Sequence, residues 1–206
     1  MSSVQISKGT SAVINGYEST TGQINLELKK PEDSERLFFN LYANSEGKFE
    51  SNLTSAFELS DKVSTMFLLH GSRLDFTHDP NGDGFADMPL MSQYNFMNRW
   101  KFTGTGASEG QVGLRFLQDN REGGQTGYIN NPEEIGFYGI DIETRQYQVF
   151  GKLGFAIPGT DHFTVGSVYS ISRHEQNSMF GNSNYSGIQN SVYANIIFQT
   201  IIQDTR

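Results

Sequence analysis

From Leu37 onward the chain alternates apolar and polar residues with a period of two, and this pattern constrains the fold more than any other feature. Val112 and Leu114, for example, alternate with Gln111 and Arg115. Successive side chains of a β-strand point to opposite faces of the sheet, so this period indicates strands with one apolar and one polar face. The alternation therefore predicts an all-β chain.

The length of the alternating segments favours membrane strands. Eight strands are predicted from residue 37 onward, and each runs roughly 8–14 residues, against about 5–6 in an ordinary globular sheet. At about 3.4 Å per residue and a tilt near 45°, ten residues cover an apolar band of roughly 25 Å. We therefore predict a transmembrane antiparallel up-and-down β-barrel. A soluble antiparallel sheet with one solvated face stays an alternative.

The predicted connections alternate between short turns and long polar loops. Short turns at one rim and long loops at the other are typical of outer-membrane barrels. An exception is the tight link at residues 45–47, which falls on the long-loop side. The predicted short turns are residues 60–62, 104–109 and 158–161, and the predicted long loops are residues 76–89, 123–143 and 177–187.

The alternation also predicts which side chains share a face. Charged side chains placed regularly along one face do not suit a dry core, because an unpaired buried charge costs several kcal/mol. These charged side chains indicate a water-filled lumen. The predicted lumenal charges are Glu50, Glu58, Arg99, Lys101, Arg115, Arg121 and Lys152, with Gln199 on the same side. The predicted lipid-facing residues are Phe57, Leu114, Val149, Phe155, Ile196 and Phe198.

Composition excludes several classes of function. The formal net charge is −8, which disfavours a nucleic-acid backbone, so we predict no nucleic-acid partner. The chain has no cysteine, which excludes disulfides and thiolate metal sites. It shows no nucleophile elbow or catalytic triad order, and we predict no enzymatic activity. The four histidines, His70, His78, His162 and His174, lack the spacing of a zinc site.

One segment resembles the start of a calcium-binding loop. Asp79, Asn81 and Asp83 place oxygen ligands at alternating positions before a glycine. The glutamate expected six residues after that glycine is replaced by Leu90, so Asp87 would have to substitute for it. We predict a Ca²⁺ site formed by Asp79, Asn81, Asp83 and Asp87. The alternative is a metal-free loop rich in turn-forming residues.

The N-terminal segment carries short glycine motifs around a polar linker. These are residues 6–9 (ISKG), 16–18 (GYE) and 22–25 (GQIN), followed by Pro31. The segment resembles the end of the plug domain of TonB-dependent outer-membrane receptors. Motifs at residues 68–71 (LLHG), 81–85 (NGDGF), 98–101 (NRWK), 123–125 (GGQ) and 191–195 (SVYAN) resemble the opening strands of the barrel in one subgroup of these receptors.

The resemblance implies a domain organisation. Residues 1–30 would be the C-terminal part of the plug, residues 31–36 a linker, and residues 37–206 the N-terminal part of a larger barrel. Residues 4–28 would then form a small strand-turn-strand unit that lies against the lumenal face. In such a partial chain about eight of the barrel strands would be present.

The resemblance also implies a function and partners. The full-length protein would import a scarce, bulky ligand such as a metal chelate, a corrinoid or a glycan. It would lie in the lipid of the Gram-negative outer membrane and draw energy from the TonB complex. Two alternatives are a small outer-membrane barrel acting as an adhesin or anchor, and a soluble β-sandwich that binds glycans.

Overall fold

The computed structural model describes residues 3–9, 21–27, 29–104, 108–131, 136–157 and 163–200. Its described part is almost entirely strand, as predicted, with one short α-helix and one 3₁₀ turn. No helix among these residues is long and apolar enough to cross a membrane. The elements are β1 (Ser3–Lys8), β2 (Gly22–Glu27), a 3₁₀ turn (Pro31–Asp33), β3 (Leu37–Ala43), β4 (Phe49–Ser60), β5 (Val63–Leu74), β6 (Leu90–Thr103), β7 (Glu109–Gly124), α1 (Thr126–Asn130), β8 (Gly139–Ala156), β9 (Phe163–Phe180) and β10 (Ser183–Thr200).

Strands β3 to β10 form one eight-stranded antiparallel sheet. Each strand pairs with its neighbours in sequence, which confirms the predicted up-and-down order. The two outermost strands, β3 and β10, do not pair with each other, so the sheet is open and the described residues form no closed barrel. They also form no pair of facing sheets of similar size, as a β-sandwich would require.

Strands β1 and β2 form a separate two-stranded hairpin. Val4 pairs with Leu26 and Ile6 with Ile24, so these four apolar side chains share one face of the hairpin. The hairpin does not extend the edge of the large sheet, in agreement with the predicted strand-turn-strand unit. The predicted turn at residues 16–18 lies outside the described residues.

From β6 to β10 the register places apolar and polar side chains on opposite faces of the sheet, whereas on β4 and β5 the buried apolar residues Ala56, Met66 and Leu74 lie on the polar face. Directly paired residues share a face, and Leu114 pairs with Val149, which pairs with Ile171 and then Val192. Arg115 pairs with Gln148 on the other side. The predicted division is therefore confirmed. The apolar face includes Phe57, Leu114, Val149, Phe155, Ile196 and Phe198, and the polar face includes Glu50, Glu58, Arg99, Lys101, Arg115, Arg121, Lys152 and Gln199.

A small buried polar cluster lies within the apolar face. Thr65 and Asn98 are both buried there, beside the Trp100 ring. The Asn98 amide donates to Thr65 Oγ1 at 3.0 Å and to the Met66 carbonyl oxygen at 3.1 Å. Asn98 Oδ1 in turn accepts from Trp100 Nε1 at 2.6 Å. Because these polar atoms bond each other, the apolar face contains them without unpaired groups.

The prediction of a long loop at residues 177–187 is wrong. Strand β9 continues to Phe180 and β10 begins at Ser183, leaving a two-residue turn. Gly181 has φ +58° and adopts the left-handed conformation that such a tight turn requires. The polar residues around it pair across the hairpin, where Ser186 Oγ donates to Asn177 Oδ1 at 2.8 Å. Their polarity indicated a loop, but they form strand ends.

The predicted loop at residues 123–143 is also shorter than expected. Strand β7 extends to Gly124 and β8 begins at Gly139, and the link between them contains helix α1. Strands β8, β9 and β10 each have 18 residues, which exceeds the predicted length. Both predicted loops are shorter for the same physical reason. Polar residues at the loop end of the sheet pair across neighbouring strands, so the backbone hydrogen bonds continue beyond the apolar part of each strand.

Candidate functional site

The segment between the hairpin and the sheet, residues 29–36, is bound to the polar face, and we call these residues the linker from here on. Arg99 Nη1 donates to the carbonyl oxygen of Lys29 at 3.0 Å. Lys101 Nζ forms ion pairs with Glu32 and, at 2.9 Å, with Glu109. Both cations lie on β6, two residues apart and therefore on the same face. The 3₁₀ turn is thus held against the sheet by two neighbouring side chains.

Arg99 is the most deeply buried charged residue of this contact. It is 7% exposed, and no carboxylate of the described residues lies within salt-bridge distance of it. Its guanidinium is instead satisfied by neutral oxygens. With the Gln111 amide oriented so that its oxygen faces Arg99, that oxygen accepts from Arg99 Nε at 3.2 Å and from Nη2.

The pKa of Glu32 is lowered by its position beside Lys101. Partial burial of the carboxyl alone would raise its pKa, but the hydrogen bond and positive charge of Lys101 outweigh this and lower the pKa below the usual 4.5. Glu32 therefore stays ionised at neutral pH, and its ion pair with Lys101 persists there.

A cavity of about 910 Å³ lies between the hairpin and the polar face. Asn25 and Leu26 of β2 line one side, and residues of β4 to β9 line the other. We call it the polar-face cavity. Its polar lining includes Asn52, His70, Arg115, Gln148, Lys152 and Ser170. The predicted packing of the hairpin against the polar face agrees with this position, although the ion pair and the hydrogen bond that hold the segment come from the linker.

Several polar groups of this cavity are paired with each other. His70 Nδ1 lies 2.8 Å from Asn52 Oδ1, and Gln148 Nε2 donates to Ser170 Oγ at 3.0 Å. Because the Asn52 oxygen can only accept, His70 Nδ1 is the donor in this arrangement. Arg115 and Lys152 form no salt bridge with the described residues, although Lys152 interacts electrostatically with Glu109.

A second cavity, of about 930 Å³, lies at the loop end of the sheet. Its lining includes Tyr94, Glu122 and Asp141. Beside it, the Tyr128 hydroxyl of helix α1 donates to Asp141 Oδ2 at 2.6 Å. Burial of the phenol and this hydrogen bond raise the pKa of Tyr128 to about 12. Asp141 therefore orders the link between β7 and β8.

The proposed calcium ligands lie in one compact loop between β5 and β6. The Asp79 carboxylate accepts from the backbone N–H groups of Asp83, at 3.1 Å, and Gly84, at 3.0 Å. Asp83 Oδ1 accepts from the N–H of Phe85 at 2.9 Å, and Asn81 Nδ2 donates to Asp83 Oδ2 at 3.0 Å. These bonds are those of a turn.

Asp87 is joined to this loop through its backbone, because its N–H donates to the His78 carbonyl oxygen at 2.9 Å. No group of three or more His, Cys, Asp or Glu side chains in the described part of the chain is arranged to hold a metal ion. The Ca²⁺ site at Asp79, Asn81, Asp83 and Asp87 stays a prediction.

The histidines among the described residues lie in separate parts of the structure. His70 belongs to the polar-face cavity. His78 Nε2 lies 2.6 Å from the carbonyl oxygen of Glu46, which joins two connections at the loop end. His174 lies on the polar face of β9, and His162 is outside the described residues.

Sequence reasoning predicted the faces but not the specific contacts. It placed Arg99 and Lys101 on the lumenal side, whereas their partners Lys29 and Glu32 were assigned only to the end of the predicted plug segment and to the linker. The proline that starts the 3₁₀ turn, Pro31, was the available signal, because proline favours the first position of a helical turn. The structure buries that proline and brings Glu32 to Lys101.

Comparison of the chain with protein-family models, curated proteins and solved structures finds no match. Assignment of the site therefore rests on the residues and geometry of this chain. The receptor resemblance, the outer-membrane location, the partners and the absence of enzymatic activity stay predictions.

Proposed function

We propose that this chain is part of a TonB-dependent outer-membrane receptor. Strands β3 to β10 would be transmembrane strands of its barrel, and the β1–β2 hairpin would belong to the plug inside it. The observation that carries the proposal is the separation of an apolar and a polar face, which is regular from β6 to β10, with the linker bound to the polar face. One face suits lipid, and the other suits water and a plug.

The height of the apolar band supports this proposal. On β8 the apolar face presents Tyr147, Val149, Leu153 and Phe155, interrupted only by Gly151, and it becomes charged at Arg145. The corresponding stretch of β9 ends where Arg173 begins the charged part of that strand. Each stretch is close to the ~9–11 residues that a tilted membrane strand needs.

Aromatic side chains lie at both limits of this band. Towards the loop end, the rings of Phe116 and Tyr147 are 5.3 Å apart. Towards the short turns, Trp100 stacks on Phe102 with ring centres 6.5 Å apart. Rows of aromatic residues at both interfaces are typical of outer-membrane barrels, because amphipathic rings favour the headgroup region.

The proposed role follows from the receptor family. The protein would import a scarce, bulky ligand such as a metal chelate, a corrinoid or a glycan, with energy from the TonB complex. This chain would supply barrel wall and the attachment of the plug to it. Arg99 and Lys101 would set where the plug segment meets the wall.

The proposal is tested by single-cysteine labelling, which the cysteine-free chain permits without background. Ile171 and Ser172 are consecutive residues at the middle of β9 and lie on opposite faces. The variants Ile171→Cys and Ser172→Cys would each be labelled with an environment-sensitive fluorophore after reconstitution of the chain into lipid vesicles. Spin-labelled lipid should quench the label at position 171 and leave the label at position 172 largely unquenched.

The two positions control for each other, since they share strand, depth and local backbone. Equal quenching at both positions, or no quenching at either, would contradict the membrane assignment. Quenching at position 172 alone would mean that the faces are reversed. A chain that stays in the aqueous fraction with full water accessibility at both positions would favour a soluble β protein instead.

A further inference from the structure

The described lining of the polar-face cavity carries positive charge and no carboxylate. Arg115 and Lys152 line it, and none of its described lining residues is Asp or Glu. The chain as a whole carries a formal net charge of −8, so a cavity with cations and no carboxylate differs from the rest of the molecule. Glu109 lies outside this lining and interacts electrostatically with Lys152. Arg115 forms no salt bridge with a described residue, so the lining can attract an anion from solution.

The rest of the lining matches a small organic molecule. A volume of about 910 Å³ lies within the ~300–1,000 Å³ that is usual for small-molecule sites. Asn95 and Gln111 bring amide groups, and the side chains of Met97 and Phe150 bring apolar surface. Such a combination suits a ligand with a carbon skeleton and acidic groups, rather than a bare inorganic ion.

The spacing of the two cations favours a ligand with more than one acidic group. Arg115 pairs with Gln148 across β7 and β8, and Lys152 lies on the same face of β8, four positions beyond Gln148. At about 3.4 Å per residue this separates the two positions by roughly 14 Å along the strands. Both side chains are long, so a ligand with acidic groups on opposite sides can contact both.

We propose that the polar-face cavity binds a small organic polyanion, with Arg115 and Lys152 as its charged contacts. The Arg115 guanidinium would bind one carboxylate in a bidentate manner, and the Lys152 ammonium would bind another as a point charge. This inference rests on the proposed function in one respect, because it takes the polar face as the water-filled one.

The test is calorimetric titration of the full chain in detergent micelles with benzene-1,3,5-tricarboxylate, whose acidic groups point outward from an apolar ring. The corresponding neutral triamide is the control probe. We expect saturable binding of the tricarboxylate that weakens as NaCl is raised, and no binding of the triamide. The double variant Arg115→Gln/Lys152→Gln should bind about ten- to hundred-fold more weakly, as expected for lost charged hydrogen bonds.

Arg121→Gln is the matched control variant. Arg121 is also a polar-face arginine, but it is paired with Asp119 at 3.1 Å and does not line this cavity. The Arg121→Gln variant should bind the tricarboxylate as tightly as the unmodified chain does. If the double variant does not fold, the charge-conserving pair Arg115→Lys/Lys152→Arg provides the second measurement, and it should retain binding within a few-fold.

The proposal is overturned if the folded chain does not bind the tricarboxylate, if the triamide binds equally well, or if the double variant binds as tightly as Arg121→Gln. Its failure is distinguishable from failure of the proposed function. Lipid quenching at Ile171→Cys without tricarboxylate binding would contradict the proposed anion site and leave the membrane assignment intact. Tricarboxylate binding without lipid quenching would contradict the membrane assignment and leave the proposed anion site intact.

Discussion

The Arg99 guanidinium donates a hydrogen bond to the carbonyl oxygen of Lys29, at 3.0 Å, and so joins two residues 70 positions apart. Arg99 lies within the polar face, and Lys29 follows the second strand of the hairpin. The contact therefore fixes where the chain passes from hairpin to sheet. Two residues further along β6, Lys101 binds Glu32, which holds the same linker at a second point.

Loss of the Arg99 contact should release the linker. The variant Arg99→Met keeps side-chain length but removes the donors to Lys29. A hydrogen bond from a charged group contributes about 1.5–3 kcal/mol, so local opening should increase by about tenfold or more. Limited digestion of the chain in detergent micelles by trypsin, followed by mass spectrometry, would measure cleavage after Lys29. Arg121→Met is the control, and equal cleavage rates in the two variants would contradict the prediction.

The ion pair between Glu32 and Lys101 should depend on pH. Because the folded state lowers the pKa of Glu32 below 4.5, the pair contributes stability that is complete above 4.5 and is lost as pH falls through the lowered pKa. Linker protection should therefore decrease on acidification below about pH 4.5. The measurement is amide hydrogen exchange of residues 29–36 as a function of pH, corrected for intrinsic rates.

Glu32→Gln is the control for this pH dependence. The variant should show weaker protection at neutral pH and a smaller corrected change on acidification. The side chain of Glu32 is 32% exposed, so solvent screens the pair and the effect on global stability should be small. A corrected pH profile identical to that of the unmodified chain would mean that another group governs the linker.

The sequence predicted the eight-stranded sheet well because the alternation of apolar and polar residues is a property of each strand alone. Leu114 and Arg115 could be assigned to opposite faces without knowing which strands they pair with. The sequence could not predict that residues 177–187 form strand ends. Asn177 and Ser186 are polar, and polar residues occur both in loops and at exposed strand ends. Only their pairing across the Gly181 turn shows that they belong to strands.

The candidate site was predicted less completely, for a physical reason. Lys101 and Glu32 are 69 positions apart, and their contact depends on how the linker folds back over the sheet. No local pattern encodes such a distance. The polar-face cavity likewise depends on where the hairpin lies, because Asn25 and Leu26 close one side of it. Face assignment is local information, whereas a cavity is a property of the assembled chain.

Replacement of Gly151 by alanine should destabilise the sheet. A Cβ atom at this position would lie 2.7 Å from the backbone oxygen of Gln111 and 2.2 Å from the Tyr169 hydroxyl. The backbone atom cannot move without disturbing the pairing of β7 with β8, so overpacking should cost about 1–3 kcal/mol. The measurement is the free energy of unfolding in urea, with the chain in detergent micelles.

Gly154→Ala is the matched control on the same strand. No heavy atom lies within 4 Å of a Cβ atom at Gly154, so this variant should change the free energy of unfolding by less than about 0.5 kcal/mol. The double variant Gly151→Ala/Tyr169→Phe should recover only part of the loss, since the clashes with the ring carbon Cζ of residue 169, at 2.3 Å, and with the Gln111 oxygen persist. Equal stability of Gly151→Ala and Gly154→Ala would mean that the backbone near Gly151 yields more easily than its pairing suggests.

The isolated chain should self-associate in water and disperse in detergent. Its apolar face exposes side chains such as Val192 at 77% and Phe198 at 68%, over an area well above the ~300–600 Å² patch of a typical soluble monomer. Among the described residues, β3 and β10 each have a sheet neighbour on one side only, so each edge presents backbone groups that template pairing with another chain. Detergent covers the apolar face but cannot satisfy these backbone groups.

Hydrogen exchange separates the two causes of association. In a detergent-dispersed monomer, outward-facing amides of β10 should exchange quickly while those of β8 stay protected, because β8 has a neighbour on each side. In the detergent-free aggregate, amides of β10 should become protected as well if edges pair. A sharp monomer peak in sizing chromatography without detergent, together with a cooperative melt, would contradict the prediction and the membrane assignment with it.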